Sequence, residues 1–215
     1  QKAGATDQEL KNYTRKVSHI SSTPVEYKAD VAIIGGGGTG LAAAVSALEN
    51  GAKKVVILEK LGYLGGSTNV SGGALNAVDD KRQKAQGIDD SVQKFYEATM
   101  KGGHNVGNPE LVKYLTDNAY PTVKWMEKEG VVFRDKIGAA TGSLGQRSHY
   151  GKKPAGYAYT SVFENKLKEY GDRVVVLTET PATKLIMDKS GRVIGVSGLH
   201  AGKPGSTHDI NKKSE

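Results

Sequence analysis

Residues 30–60 contain, in order, an apolar run, a glycine turn, an alanine-rich segment, a second apolar run and an acid. The run Val31–Ile34 predicts a strand that is buried on both faces of a parallel sheet. The segment from Leu41 to Asn50 predicts a helix, and Lys54 to Leu58 predicts a second strand. Because a helix that links two strands in this way is the crossover of a parallel sheet, we predict an α/β fold with helices on the faces of the sheet.

The glycine turn between the first strand and the helix has the spacing of a dinucleotide-binding loop. Gly35 permits a sharp bend, Gly37 lets a diphosphate approach a backbone that carries no Cβ, and Gly40 lets the helix pack closely on the strand. Free N–H groups at the start of a helix attract phosphate, because the helix dipole is positive there. The residues that we expect to bind the cofactor here are Gly35, Gly37, Gly38, Thr39 and Gly40.

The acid after the second strand indicates which nucleotide is bound. Glu59 stands at the carboxyl end of that strand and is followed by Lys60. A carboxylate in this place accepts hydrogen bonds from both ribose hydroxyls and disfavours a 2′-phosphate, so FAD or NAD is expected and NADP is not. A lone G-x-G-x-x-G motif is a weak signal, but the strand, helix and acid at the expected distances make it specific.

A second glycine-rich segment, Gly65–Gly73, is predicted to be a loop and carries hydroxyl and amide side chains but no charge. Glycine N–H groups and short hydroxyls can donate to a diphosphate and to the edge of a flavin, whereas a charged side chain would crowd a planar ring. The alternative is an ordinary surface turn. The residues that we expect to bind the cofactor here are Gly66, Ser67, Thr68, Ser71, Gly72 and Gly73.

Two further segments, Ser91–Met100 and Pro109–Glu129, carry apolar residues at helical spacing and predict structural helices. Trp125 lies on the apolar stripe of the second helix and is expected in the core rather than under a ligand. The stretch from Gly138 to Gly156 has little periodicity and predicts a long loop. His149 in this loop is expected either to orient a ligand or a neighbouring domain, or simply to hydrogen-bond the loop itself.

The last part of the chain predicts one more helix, one more strand and a β-hairpin beside the sheet. Ala182 lies where the strand leads into the hairpin, and its small side chain would let an adenine ring lie close. We therefore add Ala182 to the expected cofactor residues. The predicted elements are a helix at Ser161–Tyr170, a strand at Arg173–Thr178, and hairpin strands at Thr183–Met187 and Arg192–Ser197.

The composition excludes several classes of protein and site. The chain has no cysteine, which removes disulfides, thiolate-bound iron–sulfur clusters and thiol catalysis, and suits a bacterial exported or periplasmic protein slightly better than a cytoplasmic one. The net charge of +7 comes from lysines spread among acids, without interleaved aromatics, so no nucleic-acid partner is expected. No apolar run is long enough for a membrane span, and the histidines show no metal-ligand spacing.

The sequence predicts three segments. Residues 1–28 are a polar linker or N-terminal extension, residues 29–198 are the nucleotide-binding domain, and residues 199–215 are a polar tail. Because the first residue is Gln and the last residues are polar and lack a pattern, we expect a processed chain or an excised piece that stops within the fold.

Together these motifs resemble the flavoprotein of the fumarate reductase and succinate dehydrogenase family, in particular its soluble flavocytochrome c branch. The resemblance covers residues 29 to about 198, and its first two motifs are specific in combination. It rests on the glycine turn with Glu59-Lys60, the Gly-Gly-Ser-Thr loop ending in Gly72-Gly73, the helix from Pro109 to Trp125, Arg147-Ser148-His149, and the strand Gly191–Val196.

The resemblance implies a Rossmann-like domain that holds FAD non-covalently. The membrane-bound branch attaches its flavin through a histidine of the second loop, and Ser67 stands in that place here. The stretch from Tyr150 to Gly156 departs from the pattern of the soluble branch, which leaves the role of that loop open. The resemblance places Thr39 and its neighbouring glycines on the diphosphate, Glu59 on the adenosine ribose, Ser67, Thr68, Gly72 and Gly73 along the diphosphate and flavin, and Ala182 near the adenine.

The same resemblance implies that the capping domain, the catalytic arginine and the substrate clamps lie outside these residues, so we assign no catalytic residue. The full-length parent is expected to pass a hydride from flavin N5 to the activated C=C bond of a small unsaturated dicarboxylate or a similar substrate. Its electrons would come from a haem or FMN domain or protein, and the fragment alone is expected to be inactive. Two alternatives stay open: a flavoenzyme that acts on a ketosteroid or another enone, and a nucleotide-binding module without catalysis.

Overall fold

The structure is a computed structural model that describes residues 24–141 and 144–200. Most of the predicted linker and nearly all of the predicted polar tail therefore lie outside the described residues. Within the described part, the chain divides into two compact units. The first unit contains residues 24–36, 43–64 and 168–200, and the second contains residues 37–42, 65–141 and 144–167.

Helices and strands alternate through the first part of the chain, as the sequence predicts. In chain order the elements are β1 (Val31–Ile34), α1 (Gly38–Glu49), β2 (Val55–Leu58), α2 (Gly66–Val70), β3 (Leu75–Asn76), α3 (Asp80–Lys84), α4 (Val92–Gly102), α5 (Pro109–Lys128), β4 (Ser148–His149), α6 (Tyr157–Glu169), β5 (Val174–Leu177), β6 (Ala182–Met187) and β7 (Val193–Gly198). Among residues 24–141 and 144–200, no helix is long and apolar enough to cross a bilayer.

A three-stranded parallel sheet of order β1-β2-β5 forms the centre of the first unit. Val55 of β2 lies opposite Val31 on one side and opposite Val174 on the other. All four residues of β2 are buried, as expected for a strand that is covered on both faces. The predicted α/β fold with a parallel sheet is confirmed.

The prediction that β1 is buried on both faces is wrong. Ala32 and Ile34 are exposed, and Ile34 is 56% accessible. The physical reason is position: β1 is the edge strand of this sheet, and the face that carries these two side chains has no cover among the described residues. A four-residue apolar run therefore predicts a strand here without predicting how many of its faces are covered.

The end of α1 is held by hydrogen bonds that the sequence does not reveal. The Arg173 guanidinium donates from Nη2 to the carbonyls of Leu48 (3.2 Å) and Ala52 (2.6 Å). A cation in this place donates to carbonyl oxygens that no N–H group of the helix reaches. Its positive charge also complements the negative end of the helix dipole. Gly51 follows the helix with φ +96°, a left-handed conformation that ends a helix and that glycine adopts readily.

The predicted hairpin is present as β6 and β7, which pair antiparallel in a sheet of their own. The turn between them is fixed by Asp188, whose Oδ1 accepts hydrogen bonds from Ser190 N–H (2.8 Å) and Arg192 N–H (3.1 Å). Such an Asx turn needs a short carboxylate or amide side chain. The Asp188 side chain thus fixes the turn Asp188-Lys189-Ser190-Gly191 between the two strands.

Helices dominate the second unit. The helix α5 begins at Pro109, and the Asn108 side chain caps it by accepting from the N–H groups of Glu110 and Leu111, a favourable N-terminus because the proline needs no acceptor. Trp125 stacks on Phe163 of α6 with ring centroids 5.2 Å apart. Trp125 therefore packs against another helix, but its side chain is only partly buried and does not lie in the core as the sequence predicts.

A buried ionic network links the short elements of the second unit. The Arg147 guanidinium donates to both carboxylate oxygens of Asp90 at 2.8 Å, and each side chain is only 5% exposed. The Arg147 guanidinium also lies 4.7 Å from the centre of the Phe95 ring, within cation–π range. Gln83 donates to the same Asp90 carboxylate and to the Gln146 carbonyl. This network holds Gln146 and Arg147 by side-chain contacts, in a stretch where the sequence predicts only a loop.

We expect acid to destabilise this network. Burial opposes ionisation of Asp90, but its hydrogen bonds from Arg147, Gln83 and the Ser91 N–H outweigh burial and hold its pKa below the ordinary value of 3.8. The pKa of Asp79 is lowered in the same way: burial opposes ionisation, and hydrogen bonds from Arg82 and His149 outweigh it. A carboxyl whose folded pKa is depressed stabilises the fold above its unfolded pKa and loses this contribution as the pH falls through the folded pKa.

The thermal unfolding midpoint should therefore fall as the pH drops below about 4, when it is followed by circular dichroism. In the Asp90→Asn variant the midpoint should be lower at neutral pH, but its decline with acid should be shallower. Equal midpoints at about pH 6 and pH 3 for the unmodified chain would contradict this assignment.

Candidate functional site

Glu59 points back at the glycine turn, in the first unit. Its side chain is buried, Oε2 accepts the Gly36 N–H at 2.7 Å, and Oε1 accepts the Leu61 N–H at 2.7 Å. A carboxylate offers about four lone-pair sites, so these two bonds leave acceptor capacity for the two hydroxyls of a ribose. Glu59 is thus held in place by the backbone on either side of it while it can still accept from a ligand.

The chain that leads to Ala182 runs beside Glu59. The Glu59 N–H donates to the Leu177 carbonyl and the Thr180 N–H donates to the Glu59 carbonyl, each at 2.8 Å. Ala182 follows two residues later and is partly exposed. The Pro181 carbonyl accepts the Leu199 N–H at 3.1 Å, and a carbonyl oxygen has a second lone pair for another donor. The role of Ala182 at an adenine stays a prediction, as does that of Lys60, which is exposed beside Glu59.

Gly35 makes the sharp bend that the sequence predicts, with φ +98° and its N–H on the Leu58 carbonyl at 2.8 Å. The next residue, Gly36, is absent from the predicted set. Its N–H is the donor to Glu59, and a Cβ at this position would clash with the Leu64 side chain. The G-x-G-x-x-G spacing passes over this residue, although the unbroken run of four glycines is visible in the sequence.

The helix α1 begins at Gly38, three residues earlier than predicted. Its first intrahelical bond runs from the Leu41 N–H to the Gly37 carbonyl at 2.9 Å, so the N–H groups of Gly38, Thr39 and Gly40 precede the helical ladder. The first turn contains no acidic side chain, which would compete for these donors. The N–H groups of Thr39 and Gly40 at this helix start can therefore bind an anion.

The two glycine-rich segments meet in the second unit. Gly37 forms a parallel bridge with Gly65, and the Gly38 N–H donates to Thr68 Oγ1 at 3.3 Å. A Cβ at Gly38 would stand 2.6 Å from that oxygen, so glycine is required for this approach. In contrast, no described protein atom lies within 4 Å of the place where a Cβ at Gly37 would stand. The space in front of Gly37 is open to a ligand.

The prediction that Gly65–Gly73 is a loop is wrong in part, because Gly66–Val70 forms the short helix α2. Gly65 enters it with φ +95°, and Ser71 closes it by donating from Oγ to the Thr68 carbonyl at 2.8 Å. Local side-chain bonds of this kind can stabilise a single helical turn that propensity does not predict. Ser67 and Gly72 are exposed on this segment.

The structure decides between the two hypotheses for His149. The side chain is fully buried, with Nδ1 3.2 Å from the Arg147 carbonyl and Nε2 3.3 Å from Asp79 Oδ2. His149 is therefore a hydrogen-bonded core residue of its own unit. Among the described residues, no group of three or more histidine and acidic side chains is arranged to hold a metal ion.

Comparison with known proteins places these motifs in a family. Residues 30–214 match the family described as "FAD binding domain". The chain is 36% identical over 187 residues to a urocanate reductase of Eggerthella lenta. The aligned region covers 86% of this chain and 30% of that protein. It is 32% identical over 197 residues to a fumarate reductase (cytochrome) of Shewanella frigidimarina. Here the aligned region covers 89% of this chain and 34% of that protein.

A solved structure shows the same fold. The open conformation of a flavocytochrome c3 fumarate reductase superimposes with a TM-score of 0.76 and 26% identity, over 94% of this chain and 35% of that one. The described chain thus spans about a third of the length of the relatives that it matches. The Rossmann-like fold and the resemblance to the fumarate reductase family are confirmed.

Proposed function

Since this chain belongs to the FAD binding domain family, we propose that it is the cofactor-holding part of a flavin-dependent reductase that acts on an activated C=C bond. The relatives that it matches are reductases of urocanate and of fumarate by name, and both compounds are α,β-unsaturated carboxylates. A small unsaturated carboxylate is therefore the substrate class that we propose for the full-length parent. We propose residues 29–198 as the domain that binds FAD.

One observation carries the proposal: the start of α1 presents backbone N–H groups next to a glycine, Gly37, whose Cβ position faces open space. A cofactor diphosphate needs this combination of donors and room. In the first unit, the Glu59 carboxylate keeps acceptor capacity for a ribose. Its negative charge disfavours a 2′-phosphate, which supports FAD over NADP.

The residues proposed to hold FAD have separate tasks. Ser67 offers no nucleophile of the kind that attaches flavin through histidine, so we propose non-covalent binding. In the adenosine part, Glu59 would accept from the ribose and Ala182 would leave room for the adenine. In the diphosphate and flavin part, the donors would be the start of α1 and the segment from Gly66 to Gly73.

Bound FAD would supply hydride transfer from N5 to the substrate double bond. The residues of this chain would bind and orient the cofactor, and we assign none of them to the proton transfer. We also propose that the parent receives electrons from a haem or FMN group. We propose in addition that it is exported, because a chain without cysteine suits an exported protein slightly better than a cytoplasmic one.

The test is whether the purified 215-residue chain binds FAD, and whether Gly37→Ala removes that binding. The added methyl would occupy the space that the proposal gives to phosphate, so FAD affinity should fall at least about tenfold in a fluorescence titration. The unfolding free energy should change by less than about 1 kcal/mol, because the methyl meets no protein atom and only the cap preference is lost.

The matched control is Gly102→Ala, which places a methyl at an exposed helix end in ordinary contact with Leu144. This variant should bind FAD as the unmodified chain does. A chain that releases no FAD and binds none in titration would refute the proposal, and so would equal FAD affinity of Gly37→Ala and the unmodified chain.

A further inference from the structure

The segment that begins α6 holds the second glycine-rich segment at three points. The Gly156 N–H donates to the Ser71 carbonyl at 3.1 Å, and the Tyr159 hydroxyl donates to the Gly73 carbonyl at 2.5 Å. The Thr160 hydroxyl donates to the Asn69 side-chain oxygen. All of these residues belong to the second unit, and three residues of one helix start thus bind three alternate residues, Asn69, Ser71 and Gly73.

Close packing accompanies these bonds. A Cβ at Gly156 would stand 2.6 Å from Ser71 Oγ and nearer still to the Thr68 carbonyl, and a Cβ at Gly73 would stand 2.6 Å from the Ala155 carbonyl carbon. Ala155 itself has φ +52°, an uncommon conformation for a residue with a side chain. The backbone of Ala155 and Gly156 is therefore fitted against the second glycine-rich segment without space for a further atom.

These contacts leave two positions of the segment open. Val70 is 84% exposed, and no described atom lies within 4 Å of a Cβ position at Gly72. An exposed apolar side chain and a glycine with open space beside it suit a planar ring that needs close backbone approach. Burial raises the pKa of Tyr159 to about 12, so its hydroxyl remains a donor at physiological pH.

We propose that Gly156, Tyr159 and Thr160 are positioning residues that set the second glycine-rich segment for the flavin half of FAD. They touch the segment and not the cofactor, and they act by fixing its backbone before FAD arrives, which lowers the ordering cost of binding. This inference rests on the proposed function. It assigns a role to the Tyr150–Gly156 stretch, which the sequence left open.

The test compares Gly156→Ala and Thr160→Val with the control Tyr157→Phe in the 215-residue chain. Gly156→Ala forces the segment to shift, and Thr160→Val removes one donor with little change of shape. Tyr157 lies in the same helical turn but is half exposed, so loss of its hydroxyl should change nothing. Affinity is measured for FAD by fluorescence and for AMP by saturation-transfer NMR, and hydrogen exchange is followed at residues 66–73.

Both variants should bind FAD at least about tenfold more weakly than the unmodified chain while their AMP affinity stays within about twofold, because AMP lacks the flavin half. Exchange at residues 66–73 should rise in both. The inference is overturned if FAD affinity is unchanged, or if FAD and AMP affinity fall together. If the unmodified chain binds no FAD, the proposed function fails as well; if it binds FAD and the variants match it, only this inference fails.

Discussion

Replacement of Glu59 by glutamine should weaken FAD binding about 100-fold, because one amide N–H₂ must then face a backbone donor or a ribose hydroxyl. Both carboxylate oxygens already accept a backbone N–H, from Gly36 and from Leu61. Glutamine has a single acceptor oxygen, so it can satisfy only one of these donors without a shift. The other N–H loses its acceptor, and the ribose hydroxyls lose a charged acceptor.

Fluorescence titration with FAD measures this effect, and Glu179→Gln is the matched control. Glu179 is exposed, lies in the same unit and changes the net charge by the same amount when it is replaced. Its FAD affinity should equal that of the unmodified chain. If Glu59→Gln binds FAD as tightly as Glu179→Gln does, then Glu59 serves the fold and has no role at the ribose.

Replacement of Arg147 by methionine should cost about 3–5 kcal/mol of unfolding free energy, since it leaves the buried carboxylate of Asp90 without its cationic partner. Two hydrogen bonds of 2.8 Å are lost together with the contact over Phe95. Methionine fills much of the same space, so the loss of unfolding free energy reflects the unpaired buried carboxylate more than a cavity. Urea unfolding at neutral pH measures the change.

The double variant Asp90→Asn with Arg147→Met should recover part of this loss, because it removes the stranded charge. A surface pair gives the control: Lys94 and Asp89 lie 2.6 Å apart but are 51% and 90% exposed, so Lys94→Met should cost less than about 1 kcal/mol. If Arg147→Met costs no more than Lys94→Met, the buried pair does not stabilise the fold.

The local sequence predicted the strand–turn–helix–strand order because each element has a short-range cause. Apolar runs indicate strands, the alanine-rich segment indicates a helix, and Gly35 and Gly51 adopt the positive φ that their places require. Glu59 could be located for the same reason: it follows a strand, and the strand end is fixed by the pattern before it. The structure confirms the order of elements and places the Glu59 carboxylate against the glycine turn.

Contacts between distant parts of the chain could not be predicted in this way. Gly36 matters because Leu64 and Glu59, more than 20 residues away in the sequence, pack against it. The bonds from Gly156, Tyr159 and Thr160 reach across more than 80 residues of sequence, where periodicity carries no information. The misjudged burial of β1 has the same origin, because an apolar run does not state what will cover it.

By itself, the sequence determined the kind of unit that this chain builds and the family to which it belongs, since backbone conformation and hydrophobic periodicity are set by neighbouring residues. Only the tertiary structure decided which glycines face open space and which have another segment packed against them. It also decided which polar side chains are held in the core. Steric room and hydrogen-bond partners depend on residues far apart in the chain, and these become neighbours only when the chain has folded.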